Sequence, residues 1–154
     1  MKRMIAAVMV GMIMACSMAG CGCSTEKGVD LAQVMTDIDT SYPNDMEDIS
    51  TVDDLNKYYS IETADVKSFA AEINKSGIEE VVIVEAVSAD AAKNVEEKLQ
   101  QRYNSKKQQG ASYSPEDLQV ISNCSVKVNG NYVSMVVSSN ASGMEEIFNN
   151  SVNG

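Results

Sequence analysis

The Asn129-Gly130 dipeptide restricts what this chain can fold into more than any other feature. It separates residues 125–128 from residues 132–138, and across the two runs Val126, Val128, Val133, Met135 and Val137 recur with a period of two. That period belongs to strands with one covered face, and Asn-Gly takes the positive φ of a tight hairpin turn at little steric cost. The two runs are therefore expected to pair antiparallel in the core of a sheet.

A second period-two region starts at Val66, where Phe69, Ala71 and Ile73 alternate with Ser68, Ala70 and Glu72. Asn74-Lys75-Ser76-Gly77 then turns the chain, and residues 80–87 run almost entirely in Val and Ile, the pattern of a strand with two apolar faces. Helical spacing fills the rest. Asp30 is placed to cap a helix presenting Leu31, Val34, Met35 and Ile38, and Thr51 with Asp54 resembles a capping box ahead of Val52, Leu55 and Tyr59. Residues 41–49, around Tyr42-Pro43-Asn44, break the pattern and read as a loop. Asp90 opens the longest helix, with Ala92, Val95, Leu99 and Tyr103 inward and Gly110 at its end. Ser114-Pro115-Glu116-Asp117 starts a short helix offering Leu118 and Ile121, and Met144, Ile147 and Phe148 give a last amphipathic turn or two. This order predicts an α+β fold: a four-stranded, largely antiparallel sheet of two hairpins, covered on one face by helices.

The beginning of the chain predicts where that domain works. Lys2 and Arg3 precede residues 4–15, which carry no charge, and Met18-Ala19-Gly20-Cys21 follows. Extended to Ala19 the apolar run is sixteen residues long, short of the roughly 20 that cross a bilayer core. Small residues before a cysteine resemble the bacterial lipobox, whose cysteine receives a diacylglyceryl group before the peptide is cut in front of it. Ala19 and Gly20 fit it, and Met18 stands where Leu is commoner. Cys16 is the rival, but bulky Met14 lies two residues before it and the choice shortens the apolar run. The expected organisation is a lipoprotein signal peptide over 1–20, a lipidated tether over 21–28 with Cys21 as the lipid attachment residue, and a single globular extracytoplasmic domain over 29–154. The domain would sit on the extracellular face of the cell membrane through a covalent lipid anchor.

Removal of the signal takes Lys2 and Arg3 and no acid, so the formal charge moves from −10 to −12. Such a domain is repelled by nucleic-acid phosphates and anionic lipid, so nucleic acid is not among the expected partners. Cys23 and Cys124 are left as thiols, with a bridge between them open to an exported protein. With no His in the chain, Ser-His and Cys-His catalysis and the usual zinc sites lose their central group. Glu79 and Glu80, neighbours in a strand, would point to opposite faces. No cofactor, no metal site and no catalytic residue is expected.

Asp37, Asp39, Ser41 and Asp48 match positions 1, 3, 5 and 12 of a calcium-loop template, but Tyr42 occupies the position that needs Gly and Pro43 stiffens the next, so a solvated acidic loop is the expectation. Lys98, Arg102 and Lys106 recur every four residues on the long helix, joined by Lys107. They form a candidate partner-docking face, weighed against an ordinary exposed face neutralised by Glu96 and Glu97. Tyr103, Tyr113 and Tyr132 are candidates for a ligand groove or for the margin of the core.

The run Glu79-Glu80-Val81-Val82-Ile83, then Gln101-Arg102-Tyr103, Tyr113-Ser114-Pro115-Glu116 and Gly130-Asn131-Tyr132-Val133, is similar to a family of uncharacterised lipoproteins of Gram-positive, clostridia-like bacteria that carry a domain of unknown function. The resemblance covers residues 66–148. It implies anchorage on the outer face of the membrane and supplies no catalytic residues. The expected function is a non-catalytic binding or scaffold module with an unidentified protein or cell-envelope partner; the alternative is a carboxylate-dependent hydrolase acting on cell-wall material.

Overall fold

The computed structural model describes residues 28–109 and 114–154. Residues 1–27, with Cys16, Cys21 and Cys23 and the expected signal peptide, and residues 110–113, with Gly110 and Tyr113, lie outside the described residues.

In chain order the elements are α1 (Leu31–Ser41), β1 (Glu47–Asp48), α2 (Val52–Tyr59), a single 3₁₀ turn at Thr63–Asp65, β2 (Val66–Ile73), β3 (Glu80–Ala86), α3 (Ala89–Gln108), α4 (Pro115–Asn123), β4 (Ser125–Asn129), β5 (Tyr132–Val137) and α5 (Ala141–Asn153). The strands form one antiparallel sheet in the order β1-β2-β3-β5-β4. The expected α+β class and both hairpins are present. The sheet has a fifth strand because β1 forms inside the stretch read as a loop. Two residues show no periodicity, and what seats them is local: Asn44 donates through Nδ2 to Asp39 (2.9 Å) and accepts from the Met46 backbone through Oδ1 (2.8 Å).

Helices cover both faces of the sheet, where one covered face was expected. Residues paired across strands share a face, so the register assigns Ile73, Glu80, Val82, Val133, Met135 and Val137 to one side and Glu72, Val81, Ile83, Tyr132 and Val136 to the other. The first side packs on α3, which also contacts α2 and α4; the second packs on α1 and α5. Every residue of β3 is consequently buried. Its Val81, Ile83 and Val84 side chains, with Ile38 of α1 and Leu99 of α3, are fully removed from water, at roughly 1.5–3 kcal/mol each.

The helical stripes fall as the spacing predicts: Leu31, Val34, Met35 and Ile38 are buried on α1, and Ala92, Val95, Leu99 and Tyr103 on α3. Thr51 caps α2 by accepting from Asp54 N, and Ser114 with Asp117 makes the full capping box of α4. The cap of α3 is Ser88, two residues before Asp90, because its hydroxyl reaches Ala91 N (3.1 Å). The last helix runs thirteen residues, well beyond a turn or two, since its apolar stripe has the α1 side of the sheet to lie on.

The β4–β5 turn is centred one residue later than expected. Asn129 pairs with Tyr132, leaving Gly130 and Asn131 as the loop, with Gly130 at φ +59° and Asn131 not left-handed. A hairpin of the II′ kind needs Gly only at its first central position, so Gly-Asn serves as well as Asn-Gly. β4 is an edge strand rather than a core strand, which leaves Val128 45% exposed while Val133, Met135 and Val137 are buried.

Candidate functional site: an acidic cleft beside the short strand

β1 pairs with only the last two residues of β2. A two-residue edge strand cannot screen the rest of β2, so a cleft opens there between α1, β1 and β2. It consists of two adjoining depressions of about 400 and 620 Å³ that share Asp39, Asp48 and Glu72.

Each carboxylate is positioned by a different element. Asp39 lies on the last turn of α1, where the Asn44 amide fixes it. Asp48 is paired in register with Glu72 and therefore projects on the same face of the sheet. Glu72 belongs to the side of β2 that α1 covers and is only 4% exposed. Burial first, then the charges of Asp39 and Asp48, push its carboxyl up to about 8, and it lies within hydrogen-bonding reach of both. At neutral pH Glu72 thus keeps its proton between two carboxylates. A carboxyl perturbed by burial and by specific charged neighbours in a cleft is a candidate functional group.

Of the four calcium-template residues, the structure brings together Asp39 and Asp48. Asp37 accepts from Gln33 on the exposed face of α1, and Ser41 ends the helix. Among the described residues no group of three or more carboxylate or thiol side chains is arranged to hold a metal ion. Sequence reasoning missed Glu72 by placing it on an uncovered face. The signal that finds it is β3: a strand apolar on both sides implies two covered faces for its neighbour too.

The basic stripe of α3 does not form a free docking face. Lys106 is 5% exposed and donates to Glu80 (2.7 Å) and to the Ile78 carbonyl (2.7 Å). Arg102, its side chain 32% exposed, forks onto the same carboxylate through Nε and Nη2 and lies over the Tyr59 ring. Only Lys98 and Lys107 of the four sit clear of this pairing, Lys98 half-buried and Lys107 exposed over Tyr103. The reason is β3: Glu80, itself wholly buried, faces α3 and draws in the two cations one turn apart. Glu79 points away and accepts from Ser138 (2.8 Å), so the two acids diverge. The Tyr59 hydroxyl is buried beside this cluster and has no hydrogen-bond partner in good geometry among the described residues, and burial followed by the Glu80 charge holds its proton on.

Tyr103 and Tyr132 belong to the core and its margin. Tyr103 donates to the Ile121 and Cys124 carbonyls, and Tyr132 accepts from Val29 N and packs edge-on against Phe148. Cys124 is a buried free thiol whose Sγ donates to Val120 O (3.1 Å). Burial pushes it up and keeps it a thiol. A further cavity of about 540 Å³ lies against it between α4, β4 and α5, where Lys127 pairs with Glu145 and Glu116 is the third charged residue of the lining. The acidic cleft, where Asp39, Asp48 and Glu72 gather around one buried carboxyl, is the candidate site.

Searches of curated proteins and of solved structures find no match to this chain. A family model does match, over residues 39–138, from Asp39 of the cleft through β5. That span is well over half of the chain, and the protein belongs to the family described as Domain of unknown function (DUF4358).

Proposed function

We propose that this chain is a lipid-anchored extracytoplasmic lipoprotein of the kind found in Gram-positive bacteria, held on the outer face of the cell membrane through Cys21, and that its domain binds a partner and does not catalyse a reaction. The observation that carries the anchorage is the uncharged run of residues 4–15 closing on Met18-Ala19-Gly20-Cys21. Two acyl chains on one cysteine anchor stably where one chain is marginal, at about 0.8 kcal/mol per buried CH₂. An acidic domain of −12 gains nothing electrostatically from an anionic bilayer, so the lipid must do the holding. Residues 22–28 would reach at most roughly 25 Å, keeping the binding surface close to the membrane.

For the binding reading the support is the acidic cleft, with four acids, Asp39, Glu47, Asp48 and Glu72, and no cation among the residues lining it. In-cell crosslinking from Ser50, on its rim, tests this: one partner should be captured in a wall- or membrane-facing fraction. Absence of any specific product, with the protein present and intact, contradicts a binding module.

A carboxylate-dependent hydrolase is the second reading. In its favour, Glu72 is a protonated acid beside ionisable Asp39 and Asp48. Against it, carboxyls within hydrogen-bonding reach leave no room for the scissile bond that acid and base flank at about 5–9 Å.

A further inference from the structure

We propose that Asn129 is a self-modifying residue: in the folded protein, and with no enzyme, its side-chain amide is lost through ring closure with the Gly130 backbone nitrogen, and the aspartate or isoaspartate formed releases the end of α5 from β4. The proposal is independent of the lipid anchor and of the acidic cleft.

The sequence holds two Asn-Gly dipeptides, Asn129-Gly130 and Asn153-Gly154. Asn before Gly is prone to this reaction, because glycine has no side chain to obstruct the approach of its nitrogen to the Asn carboxamide carbon. The fold treats the two dipeptides differently. Gly130 lies in the exposed two-residue loop of the β4–β5 hairpin, where a Cβ would meet nothing within 4 Å, and its N–H is given to no acceptor among the described residues. Gly154 follows the last residue of α5, and its N–H is donated to the Asn150 carbonyl at 3.1 Å. Asn153 is held further by its own side chain, whose Nδ2 donates to the Asn149 carbonyl at 2.8 Å. Asn129 has one side-chain hydrogen bond among the described residues, from Nδ2 to Asn153 Oδ1 at 3.2 Å, which leaves its carboxamide carbonyl unengaged.

The reaction balances with water as the only co-reactant. Gly130 N gives up its proton to solvent and attacks Asn129 Cγ; the N–Cγ bond forms, the Cγ–Nδ2 bond breaks, and ammonia leaves with a proton taken from water. Water then opens the cyclic imide. Cleavage of its N–Cγ bond gives aspartate; cleavage of the bond from that nitrogen to the original backbone carbonyl carbon gives isoaspartate, with the chain rerouted through Cγ.

Either product undoes a contact between β4 and α5. An oxygen replaces the donor that faces Asn153 Oδ1, and Asn153 Nδ2 is already committed to Asn149, so two acceptors are left face to face. The new negative charge stands beside the C-terminal end of α5, the negative end of the helix dipole. Isoaspartate also adds a methylene to the backbone at the Asn129–Tyr132 pair that closes the hairpin.

The test incubates the full-length protein in a nonionic detergent at mildly alkaline pH, folded and in urea, and follows both sites by fragmentation mass spectrometry. Trypsin leaves them in one fragment, residues 128–154, because no Lys or Arg occurs after Lys127, so each dipeptide is the other's control. In the folded protein Asn129 should convert about tenfold faster than Asn153, the factor that one retained hydrogen bond supplies, and urea should narrow the difference. Asn129→Asp, made directly, should speed amide hydrogen exchange of residues 148–152 several-fold while exchange in β3 stays unchanged, which separates release of α5 from loss of the fold. Conversion of Asn153 as fast as Asn129 in the folded protein, or an Asn129 that stays intact when folded, overturns the self-modification. Unchanged exchange at residues 148–152 in the Asn129→Asp variant, or equal acceleration in β3, overturns the release of α5.

Discussion

Glu80 and Arg102, twenty-two residues apart, meet as a forked ion pair between the central strand and the longest helix, with the carboxylate fully buried. The same carboxylate takes Lys106. One buried anion thus fixes the rotation of α3 against β3, because only one face of the helix carries cations a single turn apart. Removing one partner of such a cluster leaves a buried charge unpaired and costs about 3–5 kcal/mol, whereas replacing the whole cluster with apolar residues is nearly neutral. Glu80→Ala should therefore lower the unfolding free energy by about that much in a denaturant titration, and the triple change Glu80→Leu, Arg102→Met, Lys106→Met should recover most of it. A loss under about 1 kcal/mol for the single change would show the cluster to be dispensable.

The acidic cleft makes stability depend on pH in a defined direction. The Glu72 carboxyl is raised in the folded state, from the ordinary value of 4.5 to about 8, so between those values the folded chain binds more protons than the unfolded one. Stability contributed by the protonated form is complete below about 4.5 and is lost as pH rises toward 8. The melting temperature should fall across that window, by an amount on the order of a few kcal/mol in unfolding free energy. Glu72→Gln should flatten the slope and be the more stable protein at pH 8.

Much of this site was out of reach of pattern reading, for identifiable reasons. The stripes of α1 and α3, the caps at Thr51 and Ser114 and the two hairpins are local, and local spacing announces them. The second helical layer is a long-range result: α5 must fold back onto the side of the sheet that α1 covers, and no spacing within residues 66–73 says so. Hence Glu72 looked solvated and Arg102 and Lys106 looked free, when each lies against an element distant in sequence. Asp39 and Asp48 were visible as acids, but their convergence depends on a two-residue strand with no period of its own.

Gly143 marks the seam between α5 and the loop after α1. A Cβ there would come 1.9 Å from the Tyr42 hydroxyl oxygen and 2.6 Å from its ring, a clash larger than the roughly 1 kcal/mol that Ala normally gains over Gly in a helix. Gly143→Ala should destabilise by about 1–3 kcal/mol in thermal unfolding. With Tyr42→Ala in the background the same change should cost less, the non-additivity being the sign of direct contact.

Cys124 should be chemically quiet. Its thiol is free, buried and shifted away from the thiolate, so the folded protein should react with thiol reagents far more slowly than the denatured one. Cys124→Ser should leave the melting temperature insensitive to added reductant. A large drop on adding reductant to the unsubstituted protein would instead point to a bridge with Cys23.

Labelling with a fatty-acid probe in cells tests the central claim, membrane anchorage through Cys21, most directly. The unsubstituted protein should carry the label and sediment with membranes, and Cys21→Ala should lose the label and either remain uncut or leave the membrane fraction, while Cys16→Ala behaves as the parent. Label lost from the Cys16 variant alone would move the cut five residues earlier. Normal labelling and membrane retention in both variants, or no label in the parent, would contradict the lipoprotein account itself.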